Sequence, residues 1–276
     1  MNHPLGCDTH LHFYDHRYPA TGGNAFPDRA PADYRTVQKR LGLGRLVVVQ
    51  PSRHGTDNRP TLNAIAAFGT AARGVAVVRP DTPDDELQRL HQGGIRGVRL
   101  YLRHPRDAFP LTLDALEPLA GLAQRMGWHL QLNLPPELLV TYGPVLRRLD
   151  VPLVFDHLAK IPQPSGVDSR EFAVVRELLA ERKAWLKISA PYLTSTCRSE
   201  TFADLGETVR ALADVAPDRL LWGSNWPHPT LSPAPDDRTF LELVRGWLPG
   251  PAEWEAMLIR NPAVLYGFEN EVSSAK

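Results

Sequence analysis

The chain has 276 residues, with 31 Lys and Arg against 31 Asp and Glu, so its formal net charge is zero, and 43% of its residues are hydrophobic. No basic stripe or basic amphipathic segment calls for nucleic acid or a membrane surface. No apolar run reaches transmembrane length, and the start "MNHPLGCDTHLHFYD" lacks the pattern of a secretory signal. Cys7 and Cys197 are far apart in a chain long enough to bury a core without a staple, so both read as reduced thiols and the protein as soluble and cytoplasmic.

Taken in order, the sequence repeats one unit: a short apolar run ending in polar residues, then an amphipathic helical segment. The runs are "LGCDTHLHF" (5–13), "RLVVVQPS" (45–52), "GVAVVRP" (74–80), "GVRLYL" (97–102), "WHLQLNL" (128–134), "VPLVFDH" (151–157), "AWLKISA" (184–190) and "RLLWGSN" (219–225). Continuous apolar runs of this length suit parallel strands buried on both faces. The intervening segments, such as "TLDALEPLAGLAQRMG" and "REFAVVRELLAERK", open after Asp, Ser, Thr or Pro and several stop at Gly, as helices do. Eight such units predict an α/β chain folded as a single (β/α)8 TIM-type barrel over 1–276. A doubly wound sheet would place a glycine-rich phosphate turn after the first strand, and "CDTHLHFYDHRY" has none. The Pro- and Gly-rich stretch 14–32 is too long for an ordinary connection and reads as a loop insertion over the barrel mouth, with 229–237 as a second.

Barrel enzymes carry their chemistry at the carboxyl ends of the strands. There the sequence sets His10 and His12, two apart on one strand and so on one face. It also sets Gln50 and Ser52 with His54 beyond, Arg99 followed by Arg103 and His104, Asn133, Asp156 and His157, Lys187 with Tyr192 beyond, and Asn225 followed by Trp226 and His228. Four of the ten histidines fall at predicted strand ends. Each position alone has an ordinary structural reading, such as an ion-pair partner for Arg99 or packing for Trp226. Convergence gives the set its weight. His91 and His129, at a helix end and a strand start, fall outside it.

With "DTHLHFYD", "DHLAK" and "WGSNWPHP" on strands one, six and eight, and "VVVQPSRHGTDNRPTLNAIA" and "GIRGVRLYL" between, the chain resembles the amidohydrolase superfamily. More narrowly it resembles the branch around 2-pyrone-4,6-dicarboxylate lactonase and galactarolactone isomerase. The resemblance runs from about Cys7 to Tyr266 and implies a distorted (β/α)8 barrel that attacks the carbonyl of a carboxylated lactone. It implies catalytic roles for His10, His12, His157 and the residue at 225. It implies substrate contacts from Ser52, His54 and Arg99, to which the strand-end positions add Gln50, Arg103, Asn133, Lys187, Tyr192, Trp226 and His228. The chain departs from the lactonase pattern where that pattern ends strand eight in Gly-Thr-Asp, against Gly223-Ser224-Asn225 here. It also departs at Asn133, where a tyrosine is expected, and at Leu193, where an arginine is expected. The isomerase relatives carry the strand-eight asparagine but alter the first strand-one histidine, which is intact here as His10.

An amide takes no proton near neutrality, so Asn225 orients or donates but is no general base. It is also a poor metal ligand. Hence no cofactor is expected to be required, and a weak or adventitious zinc is the most that His10, His12 and His157 would hold. Two enzyme readings follow. In the first, ring-opening hydrolysis, water attacks the lactone and His157 serves as base. In the alternative, a lactone isomerase, a hydroxyl of the substrate attacks its own lactone with the benefit of a high effective molarity. A barrel that binds a sugar acid without turnover is a third possibility. The partner in every case is a small anionic molecule, and neither its identity nor the oligomeric state is legible.

Overall fold

The computed structural model describes residues 3–20, 26–102, 113–197 and 201–269. Arg103, His104 and the central part of the predicted loop insertion lie outside these. Eight strands are joined in sequence order, all parallel: β1 (His3–Leu11), β2 (Leu43–Val49), β3 (Ala72–Ala76), β4 (Ile95–Tyr101), β5 (His129–Asn133), β6 (Leu153–Phe155), β7 (Ala184–Ile188) and β8 (Leu220–Trp222). Each falls within or beside a run read from the sequence. The sheet curls until its edges meet. The Asn225 N–H donates to His10 O and the His12 N–H to Trp226 O, both at 2.8 Å, and Thr9 Oγ1 donates to Trp222 O at 2.7 Å.

Around the strands lie α1 (Pro31–Leu41), α2 (Arg59–Phe68), α3 (Asp84–Gln92), α4 (Leu116–Met126), α5 (Pro136–Arg148), α6 (Arg170–Ala180), α7 (Gly206–Val215) and α8 (Asp237–Trp247). Local chemistry sets their ends. The Ser169 and Asp236 side chains accept backbone N–H groups at the starts of α6 and α8, and α1 stops at Gly42 in the left-handed region. Two short helices follow, α9 (Pro251–Glu255) and α10 (Asn261–Tyr266).

Strand alternation sorts the side chains into two cores. Leu46 and Val48 join the outer core between sheet and helices. Val47 and Val49 face inward, with Cys7, Val75, Val154, Trp185 and Leu221. Tyr266 and Phe268 close this inner floor from below. The same parity puts Arg99, Gln131, Asp156, Lys187 and Ser189 inside the barrel, one layer above the floor. At this level the apolar filling gives way to a buried polar layer.

Candidate active site

Asp156, which follows β6, is the centre of that layer. Its Oδ2 accepts from Arg99 Nε at 3.1 Å and Nη2 at 2.8 Å, and from Gln131 Nε2 at 3.2 Å. Its Oδ1 lies 3.1 Å from His10 Nδ1 and 4.0 Å from Lys187 Nζ. Burial pushes the carboxyl pKa up, but the adjoining His10 ring and the cationic Arg99 and Lys187 outweigh it and hold it well below the usual carboxylate range. Lys187 is fully buried and donates to Thr9 O and Gln131 Oε1 at 2.8 and 2.7 Å. Desolvation lowers its pKa to about 7.

Above Asp156 stand three histidines. His12 Nδ1 lies 2.8 Å from Val49 O; a carbonyl only accepts, so that nitrogen carries the proton and Nε2 presents a lone pair. His10 Nε2 is 3.3 Å from this lone pair. His157 Nδ1 bonds Ser189 Oγ at 2.9 Å, with its ring centroid 4.7 Å from that of His10. It opens a turn, His157 to Lys160, in which all four residues have positive φ near 50°. For residues other than glycine this costs on the order of 1–2 kcal/mol each, strain of the kind that collects where a side chain must be aimed. Desolvation keeps all three rings neutral, with pKa pulled to about 4 at His12, about 3 at His157 and well below normal at His10.

A neutral His10 cannot satisfy both neighbours. A proton on Nδ1, facing Asp156, leaves two Nε2 lone pairs opposed across 3.3 Å. A proton on Nε2 leaves a lone pair against the carboxylate, and in fact His10 Nδ1 and Asp156 Oδ1 make no well-angled hydrogen bond. The entrance of β1 is better satisfied. Buried Asp8 accepts from the His10 N–H, the Tyr34 hydroxyl, and the Ser224 N–H and Oγ at 2.6–3.1 Å. This ties β1, α1 and the end of β8 together.

The other expected contacts divide. Asn225 has a left-handed backbone, φ 66°, which Asn tolerates better than most residues. Its Nδ2 donates to Tyr192 Oη at 2.8 Å, and Tyr192 Oη lies 3.2 Å from His228 Nδ1. Asn133 is half-buried and its Oδ1 has no hydrogen-bond partner. Ser52 is half-buried at the start of the short turn after β2. At four residues the polar or packing groups are engaged within the protein itself. Gln50 holds its own loop, donating to Gly55 O and Asp57 O and accepting from Thr61 Oγ1. His54 Nδ1 donates to Pro19 O at 3.2 Å and Nε2 accepts from the Asp15 N–H at 3.4 Å, pinning the insertion after β1. Lys187 is sealed beneath Asp156, and Trp226 packs against Phe13 and Tyr34, with ring centroids 5.6 and 5.3 Å away. Arg99 is turned to Asp156 with only 3% of its side chain exposed, and Arg103 lies outside the described residues.

The chain thus carries a buried arginine–aspartate–histidine layer at the carboxyl ends of a (β/α)8 barrel. The amidohydrolase family model matches residues 7–268. The chain belongs to the amidohydrolase family. The D-galactarolactone isomerase of Agrobacterium fabrum is 33% identical over 272 residues, covering 95% of this chain and 91% of the relative. The 2-pyrone-4,6-dicarboxylate hydrolase of Comamonas testosteroni is 32% identical over 284 residues, covering 95% and 90%. The ligand-free crystal structure of an Agrobacterium tumefaciens protein superposes with a TM-score of 0.89 at 30% identity over 97% of both chains.

In this amidohydrolase a divalent cation suits the donor chemistry. His10, Asp156 and His157 each bring one ligand atom within 4.8 Å of the others, and the Nε2 atoms of His10 and His12 converge. A cation held there would relieve the conflict at His10 and polarise a carbonyl oxygen. Two carboxylates carry more than the sequence assigns them. Asp156 stands among the strand-end residues, but nothing in the sequence marks it as the centre of the buried layer. Asp237 is the first residue of α8, at the end of the stretch 229–237 that reads as a loop, and no local signal shows that it meets His228 (Nε2 to Oδ1, 2.9 Å).

Proposed function

We propose that this amidohydrolase attacks the carbonyl carbon of a carboxylated lactone and opens the ring with water. The observation that carries the reading is the convergence of three buried, neutral histidines over one charge-compensated carboxylate. Neutral imidazoles with depressed pKa values are poor bases but competent electrophiles, able to donate to an oxyanion without carrying charge of their own. His157 is therefore reassigned from base to carbonyl-polarising donor, beside His10, while His12, whose proton is spent on Val49 O, offers only a lone pair. Asp156 and Arg99 hold that group in place from below. The reading draws further support from the two relatives, one a lactone isomerase and one a pyrone dicarboxylate hydrolase.

A second reading, lactone isomerisation, is favoured by Asn225. With an amide at the end of β8, no carboxylate stands ready to deprotonate water, whereas a hydroxyl of the substrate needs less activation. We propose further that no added metal is required, because Asn225 is neutral and Arg99 already balances Asp156. The substrate's carboxylate would be met by Asn133 and Ser52. Nucleic acid and membrane are not expected partners; no helix among the described residues is long and apolar enough to cross a membrane. The test is a panel of carboxylated five- and six-membered lactones followed by proton release and NMR. Hydrolysis releases a titratable acid, and isomerisation conserves mass and charge. Binding without either product would overturn the enzymatic reading.

A further inference from the structure

Four side chains that enter from three different segments form one hydrogen-bonded chain, and every donor in it points the same way. The Asn225 Nδ2–H donates to Tyr192 Oη at 2.8 Å. The Tyr192 hydroxyl stands 3.2 Å from His228 Nδ1. His228 Nε2 stands 2.9 Å from Asp237 Oδ1. A carboxylate accepts, so Nε2 carries the His228 proton, Nδ1 is the acceptor and the tyrosine is its donor. Asp237, His228 and Asn225 are 3–4% exposed, whereas Tyr192 is half-buried. The chain is thus sealed at its carboxylate end and open at the phenol. Both Asn225 and His228 hold positive φ, 66° and 61°, local strain that persists where the surroundings over-determine it. Burial raises the Tyr192 pKa to about 12, so the phenol rests protonated.

From this geometry we infer that Tyr192, His228 and Asp237 form a proton relay that supplies the base which Asn225 cannot be. The inference rests on the reading of the site as one that acts on a lactone carbonyl. The attacking hydroxyl, of water or of the substrate, gives its proton to Tyr192 Oη, taking the place of the hydrogen bond that the Thr230 side chain makes there. Tyr192 passes its own proton to His228 Nδ1, and the imidazolium is held by Asp237 Oδ1. The new carbon–oxygen bond forms as the hydroxyl proton leaves. When the ring carbon–oxygen bond breaks, the same proton returns through Tyr192 to the leaving oxygen, so none is gained or lost over the cycle. Tyr192 is the member that touches the reacting atoms; His228 and Asp237 are positioning residues that set its proton acceptor.

The test uses the full chain with Tyr192→Phe, Asp237→Asn and the double variant, assayed on a six-carbon aldaric acid lactone and a pyrone dicarboxylate. Tyr192→Phe is expected to lower kcat about 10²–10³-fold and Asp237→Asn about 10–10²-fold, both with KM within a few-fold, because proton transfer is typically worth 10²–10⁴-fold. The double variant should be no slower than Tyr192→Phe, since members of one relay are not additive. Losses that multiply, or a Tyr192→Phe enzyme with parental kcat, overturn the relay. Nitrogen-15 NMR of labelled histidine reads it independently of any substrate. His228 should be the Nε2–H tautomer in the parent and lose that preference in Asp237→Asn. An Nδ1–H tautomer in the parent overturns the relay even if the enzyme is active. An inactive parent with the Nε2–H tautomer overturns the lactone reading and leaves the hydrogen-bonded chain standing. Should Asp237→Asn fail to fold, Tyr192→Phe, which removes one oxygen from a half-buried ring, and the parental tautomer decide the matter.

Discussion

Arg99 and Asp156 form a buried ion pair in which two guanidinium nitrogens, Nε and Nη2, share a single carboxylate oxygen at 3.1 and 2.8 Å. With the side chains only 3% and 0% exposed, neither charge has water as an alternative partner. Removing one partner of a buried pair strands the other and typically costs about 3–5 kcal/mol. Arg99→Met is therefore expected to lower stability by that order in urea and thermal unfolding, and to lower kcat by loosening Asp156 beneath His10. A variant as stable as the parent, with only a raised KM for acidic lactones, would make Arg99 a substrate anchor instead.

The floor of the barrel supplies a packing prediction. A Cβ at Gly97 would lie 2.3 Å from the His129 ring, so the glycine is required by the histidine that fills its space. Gly97→Ala must push that ring into a fully packed layer, at a cost of about 1–3 kcal/mol or more. A His129→Ala, Gly97→Ala double variant should recover part of the loss. Equal stability of parent and Gly97→Ala would show that the ring has room to move.

His129 also carries a pH dependence. Desolvation lowers its pKa to about 3 from 6.5, and both ring nitrogens lack a hydrogen-bond partner. Between these values the unfolded chain binds a proton at this site and the folded chain does not. Stability therefore rises with pH across the window and falls on acidification from pH 6.5, by up to about 1.4 kcal/mol per pH unit for one proton. His129→Leu should lose less stability than the parent between pH 6.5 and 4.5, read as the difference in unfolding midpoints. Parallel pH profiles would mean that the folded protein protonates this ring after all.

The barrel was legible because parallel strands buried on both faces leave continuous apolar runs, and all eight stand where those runs do. The pairing of His10 and His12 in one cavity followed from strand alternation alone. What local sequence hides is where a charge finds its partner. Arg99 and Asp156 are 57 residues apart, and nothing near either says that the arginine is spent on the aspartate rather than on a ligand. Lys187 reads as a substrate contact at the end of its strand, whereas the structure seals it under Asp156. The plug formed by Tyr266 and Phe268 beneath the barrel belongs to the same class, since its apolar residues have no strand period to announce them.

Metal dependence follows from the charge balance around Asp156. Arg99 and Gln131 already occupy Oδ2, and Asn225 adds no anion. Dialysis against a strong chelator is expected to leave at least half of the parental kcat, measured together with metal content by mass spectrometry. Loss of activity that returns only with zinc or manganese would assign the converging histidine nitrogens to a required cation.

The end of β8 offers the sharpest test of the reaction itself. Asn225 donates to Tyr192 Oη and holds its backbone N–H on His10 O, so Asn225→Asp places a carboxylate beside Tyr192 at the end of β8. The acid cannot donate to Tyr192. The phenol must then turn its own proton to the new carboxylate, and His228 Nδ1 loses its donor. Breaking that chain should cost on the order of 1 kcal/mol of stability, the worth of one ordinary hydrogen bond. In exchange the site acquires a group that deprotonates water directly, a contribution typically of 10²–10⁴-fold. Ring opening should therefore rise relative to rearrangement, read by NMR as the ratio of ring-opened acid to rearranged lactone. If the parent already yields only the acid, the readout is kcat, which should fall less on adding Tyr192→Phe to Asn225→Asp than on adding it to the parent, because the carboxylate bypasses the relay. A folded Asn225→Asp enzyme with an unchanged product ratio and undiminished dependence on Tyr192 would show that the residue at 225 does not decide how the nucleophile loses its proton.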